Sequence, residues 1–157
     1  MKCYVELPCN NVNIISKQIY QYIKEKTDIL NTKIYGWHFI DCKSLFDAAP
    51  DLLEYFKTNK LVPRHAAVTI VTDSTHLPRH IDEKPVIAKI NFPVINTTGW
   101  ANRWYINGAM VAELLDMTQP IVFNSQIEHS VEQTTATEVP RIVASFTFHN
   151  EPLKWLE

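Results

Sequence analysis

The second half of the chain consists of short apolar segments separated by turn-forming residues, and this pattern limits the fold. The segments are rich in β-branched and aromatic side chains and cover residues 68–71, 86–95, 103–106, 120–123, 127–133 and 141–148. Proline, asparagine, aspartate, glycine and threonine stand between them, which is typical of strands joined by turns. Many short strands after a helical first part predict a β-sandwich or barrel with a helical buttress on one side.

Residues 1–60 combine helical and strand-like segments. Apolar side chains recur with the 3.6-residue period of an amphipathic helix at Ile14, Ile15, Ile19, Tyr20 and Ile23. Asn10 or Asn11 precedes this stripe and is a candidate N-cap. Residues 44–57 predict a second helix, which Pro50 divides or restarts.

Three further segments complete the prediction of local structure. Residues 2–7 alternate like a short strand, and residues 32–40 have a strand-like composition. Residues 110–117 fit a helix or a strand equally well, so that both assignments stay open.

Length and composition are those of one globular domain. A chain of 157 residues, with 46% hydrophobic and 20% charged residues, can bury a stable core without disulfides or a structural metal. We predict a single domain over residues 1–157, with mixed α/β support in residues 1–60 and the β core in residues 66–149. The formal net charge is −2 and the basic residues are scattered. This pattern lacks the electrostatic footprint of a non-specific nucleic-acid-binding protein.

Cysteine usage and the N-terminus bear on localisation. Cys3, Cys9 and Cys42 are an odd set without C-x-x-C spacing, which argues against a disulfide framework or a thiolate zinc site. Reduced thiols suit a cytosolic setting. The N-terminus lacks the apolar region of a secretion signal, and no apolar run approaches transmembrane length. We therefore expect a cytoplasmic protein that does not enter a membrane.

A candidate metal site begins with the His-x-Asp pair of His80 and Asp82, in a segment where Pro78 disfavours a helix. On an extended chain, residues i and i+2 project from the same face, so both side chains can reach one ion. Chance supplies such a pair in roughly a quarter of chains of this composition, and the pair alone is weak evidence. His129, after a β-rich spacer, supplies a second imidazole. Two imidazoles and one carboxylate can hold one face of an Fe(II) ion while other positions stay open.

Arg141 begins an apolar strand whose alternation separates two sets of side chains. One face carries Arg141, Val143, Ser145 and Thr147, and the other carries Ile142, Ala144, Phe146 and Phe148. A guanidinium beside a hydroxyl suits a carboxylate ligand. For an isolated arginine, a salt bridge at a strand end is the competing interpretation.

The order of His-x-Asp, β-rich spacer, histidine and then arginine in a final strand resembles the iron(II)- and 2-oxoglutarate-dependent dioxygenases. The local amino-acid sequence is similar to that of small bacterial and phage members in the stretches HID (80–82), AKINFPVIN (88–96) and PIVFN (120–124). The sequence also resembles the aspartyl/asparaginyl β-hydroxylase-like branch of this superfamily. The resemblance covers about residues 66–149. It implies a mainly β (α+β) double-stranded β-helix, a jelly-roll or cupin-like fold, buttressed by the N-terminal helices.

The resemblance also implies roles for individual residues. His80, Asp82 and His129 would be the iron ligands, and Arg141 would bind the distal carboxylate of the co-substrate 2-oxoglutarate. Ser145 would assist Arg141, although it stands four residues after the arginine and many members place this residue two after it.

Further pocket candidates are Asn91 and Tyr105, and Tyr105 could form a stacking wall near the pocket mouth with Trp100 and Trp104.

The implied activity uses O2 to hydroxylate an unactivated carbon of a small-molecule or peptide substrate, in the cytoplasm of a bacterium or a phage-infected host. Two alternatives stay open. One is a cupin-like metal oxygenase or isomerase that does not use 2-oxoglutarate, and the other is a non-catalytic jelly-roll binding or structural module.

Overall fold

The computed structural model of the chain describes residues 1–31, 35–72 and 76–157. Two antiparallel β-sheets pack face to face in this part of the chain, and helices cover the outer side of one sheet. The helical segments are Val12–Lys24 (α1), Thr27–Leu30 (α2), Cys42–Ala48 (α3), Pro50–Thr58 (α4) and a 3-10 turn at Leu153–Trp155.

The strands confirm the predicted fold class. They are Tyr4–Glu6 (β1), Tyr35–Ile40 (β2), Pro63–Val71 (β3), His76–His80 (β4), Ala88–Ile95 (β5), Trp100–Ile106 (β6), Ala109–Leu115 (β7), Ile121–Asn124 (β8), Glu128–Gln133 (β9) and Arg141–Phe148 (β10). In the described residues, the large sheet has the order β1-β8-β5-β10-β3-β2 and the small sheet has the order β4-β9-β6-β7. From β3 to β10 the chain crosses repeatedly between the two sheets. This interleaved arrangement is a double-stranded β-helix, or jelly roll.

The two faces of the large sheet have different surroundings. On β10, the residues Ile142, Ala144, Phe146 and Phe148 belong to the core beneath the helices, together with Ile90 and Phe92 of β5. The alternate residues Arg141, Val143 and Ser145 line a cavity between the sheets. The alternation predicted for the strand that begins at Arg141 is therefore confirmed.

The N-terminal helices follow the predicted pattern. Ile15, Ile19 and Ile23 are fully buried along α1 and pack against the large sheet, whereas Ile14 of the predicted stripe is 53% exposed because it faces away from the sheet. Asn11 occupies the N-cap position, although its side chain makes no capping hydrogen bond. The predicted helix at residues 44–57 is divided at Pro50, which begins α4 as its first residue.

The remaining predictions are resolved in part. The segment 110–117, for which helix and strand stayed open, forms most of strand β7. Residues 32–34 of the predicted strand at 32–40 lie outside the described residues, and the rest forms β2. β1 and β2 are the edge strands of the large sheet, so residues 1–60 supply strands as well as helices. None of the described helices is long and apolar enough to cross a membrane.

The aromatic cluster between the helices and the large sheet is expected to contribute strongly to stability. Phe56 of α4 is fully buried, and its ring centroid lies 5.0 Å from those of Phe146 and Phe148 and 6.1 Å from that of Phe92. Replacing Phe56 with Ala should lower the free energy of unfolding by about 3–5 kcal/mol, because it removes this packing and leaves a cavity. Urea denaturation measures the change. The control Phe39→Ala, at a side chain that is 71% exposed, should stay within about 0.5 kcal/mol of wild type.

Candidate metal centre

A cavity of about 480 Å³ lies between the two sheets and gathers most of the residues predicted from the sequence. The predicted site residues that line it are His80, Asp82, Asn91, His129, Arg141 and Ser145. They come from the large sheet, the small sheet and the loop that follows β4. The fold therefore brings together side chains that are far apart in the sequence.

Two imidazoles and one carboxylate converge at one end of this cavity. His80, the last residue of β4, pairs with His129 of β9 across the small sheet. Asp82 Oδ1 lies 3.5 Å from His80 Nε2 and 3.7 Å from His129 Nε2. Candidate ligand atoms of all three residues lie within 4.8 Å of one another. This donor set of two nitrogens and one oxygen on one side of a shared space suits a divalent transition metal.

Backbone hydrogen bonds orient both histidine rings for this role. His80 Nδ1 lies 2.7 Å from the carbonyl oxygen of Pro78, and His129 Nδ1 lies 2.8 Å from that of Ile127. A carbonyl oxygen can only accept, so each Nδ1 carries the hydrogen and donates it. In the neutral rings, Nε2 then presents a lone pair toward Asp82, which is the tautomer that a metal ligand needs.

The turn between β8 and β9 holds the backbone of Asp82 in place. The Asp82 N–H donates to the carbonyl oxygen of Ser125 at 3.0 Å, and the Asp82 carbonyl accepts from Gln126 Nε2 at 3.1 Å. The Ser125 hydroxyl donates to the carbonyl of Val86, which secures the other end of the same loop. Because His129 follows this turn by a few residues, one local structure positions Asp82 relative to His129.

Electrostatics within the cluster favour a bound cation. Burial alone would raise the pKa of Asp82, but the contact with His80 and the neighbouring Lys89 and His129 outweigh it and lower that pKa to about 2. The contact with Asp82 raises the pKa of His80, whereas burial lowers the pKa of His129. Asp82 is therefore ionised, and its Oδ1 atom faces the Nε2 atoms of both imidazoles. A proton on His80 or a metal ion can occupy the space between them.

Arg141 lies fully buried in the same cavity without a carboxylate partner among the described residues. Its Nη2 atom is 3.5 Å from Asn102 Oδ1, its Nε has no hydrogen-bond partner, and its guanidinium carbon lies 5.8 Å from the centroid of the Trp100 ring. Burial lowers the pKa of Arg141 to about 10, so the group still carries its charge at neutral pH. A buried unpaired cation is costly, and an anionic ligand would relieve this cost.

Ser145 and Asn91 lie side by side on the cavity face of the large sheet. They are register partners on β10 and β5, and Asn91 Oδ1 has no hydrogen-bond partner. Both residues were predicted to line the pocket, and both do so. The structure places their polar atoms where they can contact a ligand that extends from Arg141 along the cavity.

Tyr105 does not line the cavity, contrary to the prediction. On β6 the alternate residues Asn102 and Trp104 face the cavity, and the next position, Tyr105, faces the other side of the small sheet. There its ring lies 3.6 Å from the guanidinium carbon of Arg79, and its hydroxyl is 3.2 Å from Ser130 Oγ. Strand alternation therefore directs this side chain away from the site.

The predicted stacking wall of tryptophans lies inside the molecule and not at the mouth. Trp100 and Trp104 are buried, and Trp104 lines the cavity while it stacks on Tyr4 at 4.6 Å. Trp37 of β2, which the sequence analysis did not select, also lines the cavity and is 51% exposed. Trp37 therefore marks a place where the cavity reaches the surface.

Lys89 and Asn102 are two further polar residues of the cavity that sequence reasoning missed. Lys89 Nζ lies 2.9 Å from Asp82 Oδ2. Asn102 contacts Arg141, and its Nδ2 has no hydrogen-bond partner. Strand alternation could have identified Lys89, because it lies two residues before Asn91 and therefore on the same face of the strand.

Comparison of the sequence with protein-family models and with curated proteins finds no match. Solved structures do match in shape. The non-heme alpha-ketoglutarate-dependent epimerase SnoN from nogalamycin biosynthesis is 12% identical, with a TM-score of 0.60 over 95% of this chain and 78% of that one. A Pseudomonas putida prolyl-4-hydroxylase is 14% identical, with a TM-score of 0.59 over 94% and 92%. HygX from Streptomyces hygroscopicus, with nickel and 2-oxoglutarate bound, is 8% identical, with a TM-score of 0.59 over 92% and 81%.

These similarities establish the fold. At such low identities they show that the chain has the double-stranded β-helix found in these proteins, in agreement with the order of strands in the two sheets. The predicted fold class is confirmed by both observations. The roles of individual residues depend on the geometry of the site itself.

The depressed pKa of Asp82 predicts a pH-dependent contribution to the stability of the metal-free protein. Ionised Asp82 stabilises the fold above its ordinary pKa of 3.8, and this contribution is lost as the pH falls toward about 2. Asp82→Asn should therefore lower the free energy of unfolding by about 1–3 kcal/mol at pH values near neutral. The difference in the free energy of unfolding between Asp82→Asn and wild type should become smaller below pH 3.8.

Urea denaturation of both metal-free proteins across this pH range measures the effect. The matched control is Asp47→Asn, because Asp47 pairs with Lys43 on the exposed surface of α3, where ion pairs contribute little. If the free energies of unfolding of wild type and Asp82→Asn differ by a constant amount down to a pH of about 2, the ionisation of Asp82 does not contribute to stability as predicted.

Proposed function

We propose that this protein is an Fe(II)- and 2-oxoglutarate-dependent oxygenase that hydroxylates an unactivated carbon of a small-molecule or peptide substrate. One observation carries the proposal. A cluster of two histidines and one aspartate shares a single cavity with a buried arginine that has no carboxylate partner among the described residues. The fold of the structural neighbours, whose names refer to alpha-ketoglutarate, 2-oxoglutarate and nickel, supports the proposal.

The metal would be held by His80 Nε2, His129 Nε2 and Asp82 Oδ1. The residues fit such an ion, because both imidazoles already direct their lone pairs at the ionised carboxylate. Three ligands on one side leave coordination positions open toward the rest of the cavity. Iron in this position would supply the oxidising chemistry, which uses O2 and 2-oxoglutarate.

Arg141 would bind the distal carboxylate of 2-oxoglutarate. The Nε–H of Arg141 and the Nδ2 hydrogens of Asn102 are buried donors that lack partners. Such donors cost free energy until an acceptor reaches them, and a carboxylate supplies two acceptor oxygens. Ser145 and Asn91, further along the same wall, would contact the body of the co-substrate.

The cavity walls would exclude water from the reacting groups. Ile121, Phe123 and Val143 supply apolar surface to the cavity that Arg141 and the histidine cluster share. On one side of the sandwich, Tyr4 closes the gap between β1 and β7, because its ring stacks on Trp104 and its hydroxyl donates to the carbonyl of Glu113. We infer that the substrate enters from the other side, where Trp37 is half exposed.

We further propose a division of labour within one domain. Residues 66–149 supply the groups that bind metal and co-substrate, whereas residues 1–60 support the large sheet and contribute Trp37 to the cavity. A cytoplasmic setting is proposed because the cysteines are free thiols. The bacterial or phage-infected host rests on the sequence resemblance.

Anaerobic addition of 2-oxoglutarate to the Fe(II)-loaded protein tests the co-substrate directly. A keto acid that chelates the iron should produce a weak visible charge-transfer band that is absent with Fe(II) alone. Iron binding without the band would exclude 2-oxoglutarate and favour a cupin-like metal enzyme. Failure to retain any divalent metal after reconstitution would overturn the enzyme proposal and favour a binding module.

Variants of Arg141 and His129 should separate co-substrate binding from metal binding. Arg141→Met should weaken 2-oxoglutarate roughly 10- to 100-fold and leave Mn²⁺ affinity close to wild type, because it removes charge-assisted hydrogen bonds outside the metal cluster. His129→Ala should instead abolish tight Mn²⁺ binding. Calorimetric titration with each ligand measures both effects.

The matched control is Arg64→Met, which removes an arginine from an exposed position on β3. This variant should bind both ligands like wild type. Equal loss of Mn²⁺ and 2-oxoglutarate in Arg141→Met, with an altered circular dichroism spectrum, would indicate misfolding. Equal loss with a native spectrum would contradict the separate roles of the two residues.

A further inference from the structure

Lys89 lines the cavity but has no role in the metal and co-substrate binding proposed above. It lies on β5, and its side chain is only 17% exposed. Its ammonium is 2.9 Å from Asp82 Oδ2. Lysine is rarely buried to this extent without a partner, and here Asp82 is that partner.

The carboxylate of Asp82 is divided between two environments. Oδ1 faces the Nε2 atoms of His80 and His129 at 3.5 and 3.7 Å, whereas Oδ2 faces Lys89. A metal bound by the two imidazoles would therefore meet Oδ1, while the ammonium retains Oδ2. The two oxygens of the carboxylate would then bind different cations.

Lys89 restricts rotation of the Asp82 carboxylate, which the backbone hydrogen bonds of Asp82 leave free. The backbone of Asp82 is tied to Ser125 and Gln126, but those hydrogen bonds do not restrict rotation of its carboxylate. Lys89 reaches Asp82 from the large sheet, where its strand pairs with β8 and β10. The ion pair thus holds the side chain of Asp82 from the sheet opposite the histidines.

The orientation matters because a carboxylate can bind a metal through one oxygen or through both. Binding through both oxygens would use one of the positions that three single-atom ligands leave open. The co-substrate proposed above chelates through two atoms, and O2 needs a further position. A second oxygen from Asp82 would compete for that position.

We propose that Lys89 is a positioning residue that keeps Asp82 a single-oxygen ligand and thereby keeps one coordination position open. This inference rests on the proposed metal site, but it makes a separate claim about Asp82. The ammonium of Lys89 supplies both a hydrogen bond and a charge at Oδ2. Lys89 therefore acts through Asp82 and not on the co-substrate.

The number of exchangeable waters on bound Mn²⁺ tests this claim without turnover. Electron paramagnetic resonance in water enriched in the magnetic isotope of oxygen counts these waters by line broadening. Lys89→Met, which keeps an unbranched side chain as far as the ε position but removes the ammonium, should lose one water relative to wild type because Oδ2 then binds the ion. Lys89→Arg should restore the wild-type count. The Mn²⁺-loaded Lys89→Met protein should also bind 2-oxoglutarate roughly tenfold more weakly.

The control Lys84→Met removes the same charge from an exposed position on the loop of Asp82 and should match wild type in both measurements. An unchanged water count in Lys89→Met would overturn the inference and leave the proposed function intact. An unchanged count with weaker 2-oxoglutarate binding would make Lys89 an anion-binding residue, which also overturns it. Failure of wild type to bind Mn²⁺ would overturn the proposed function and this inference together. Circular dichroism of each variant identifies misfolded protein.

Discussion

The two-residue alternation of the large sheet is the constraint on which both the core and the candidate site depend. On β10, Phe146 is buried against the helices, while its neighbour Ser145 faces the cavity. On β5, Phe92 and Asn91 are separated in the same way. Because a shift of register by one residue would exchange these faces, burial of the aromatic cluster also determines which polar groups enter the cavity. Stability and the candidate chemistry are thus coupled through the same strands.

Charge compensation distinguishes the two ends of the cavity. At one end, the ammonium of Lys89 pairs with one oxygen of Asp82, and the Nε2 atoms of His80 and His129 face the other oxygen. At the other end, Arg141 has no carboxylate partner among the described residues, and its guanidinium lies near the neutral side chain of Asn102 and the ring of Trp100. A dianionic ligand that joins an unpaired guanidinium to a bound metal would complete the electrostatics at both ends. This asymmetry is the physical basis for proposing a carboxylate-bearing co-substrate.

Much of the architecture was predictable because it depends on local periodicity. The period-two pattern that begins at Arg141 appears in the structure as predicted, and so does the 3.6-residue stripe of α1, except that Ile14 is exposed. The cluster of His80, Asp82 and His129 was suggested by spacing and by resemblance, and the structure brings these three side chains together. Tyr105 was assigned to the pocket without regard to strand parity, and that parity places it on the other face of the small sheet.

The sequence by itself determined which side chains share a strand face, because alternation and helical period are properties of the local backbone. It also supplied the order of histidine, aspartate, histidine and arginine. Only the tertiary structure decided that Lys89 meets Asp82 from the opposite sheet and that Trp37 reaches the cavity from an edge strand. Such contacts depend on how the two sheets are placed relative to each other. Packing of the whole core sets that placement, and no local pattern encodes it.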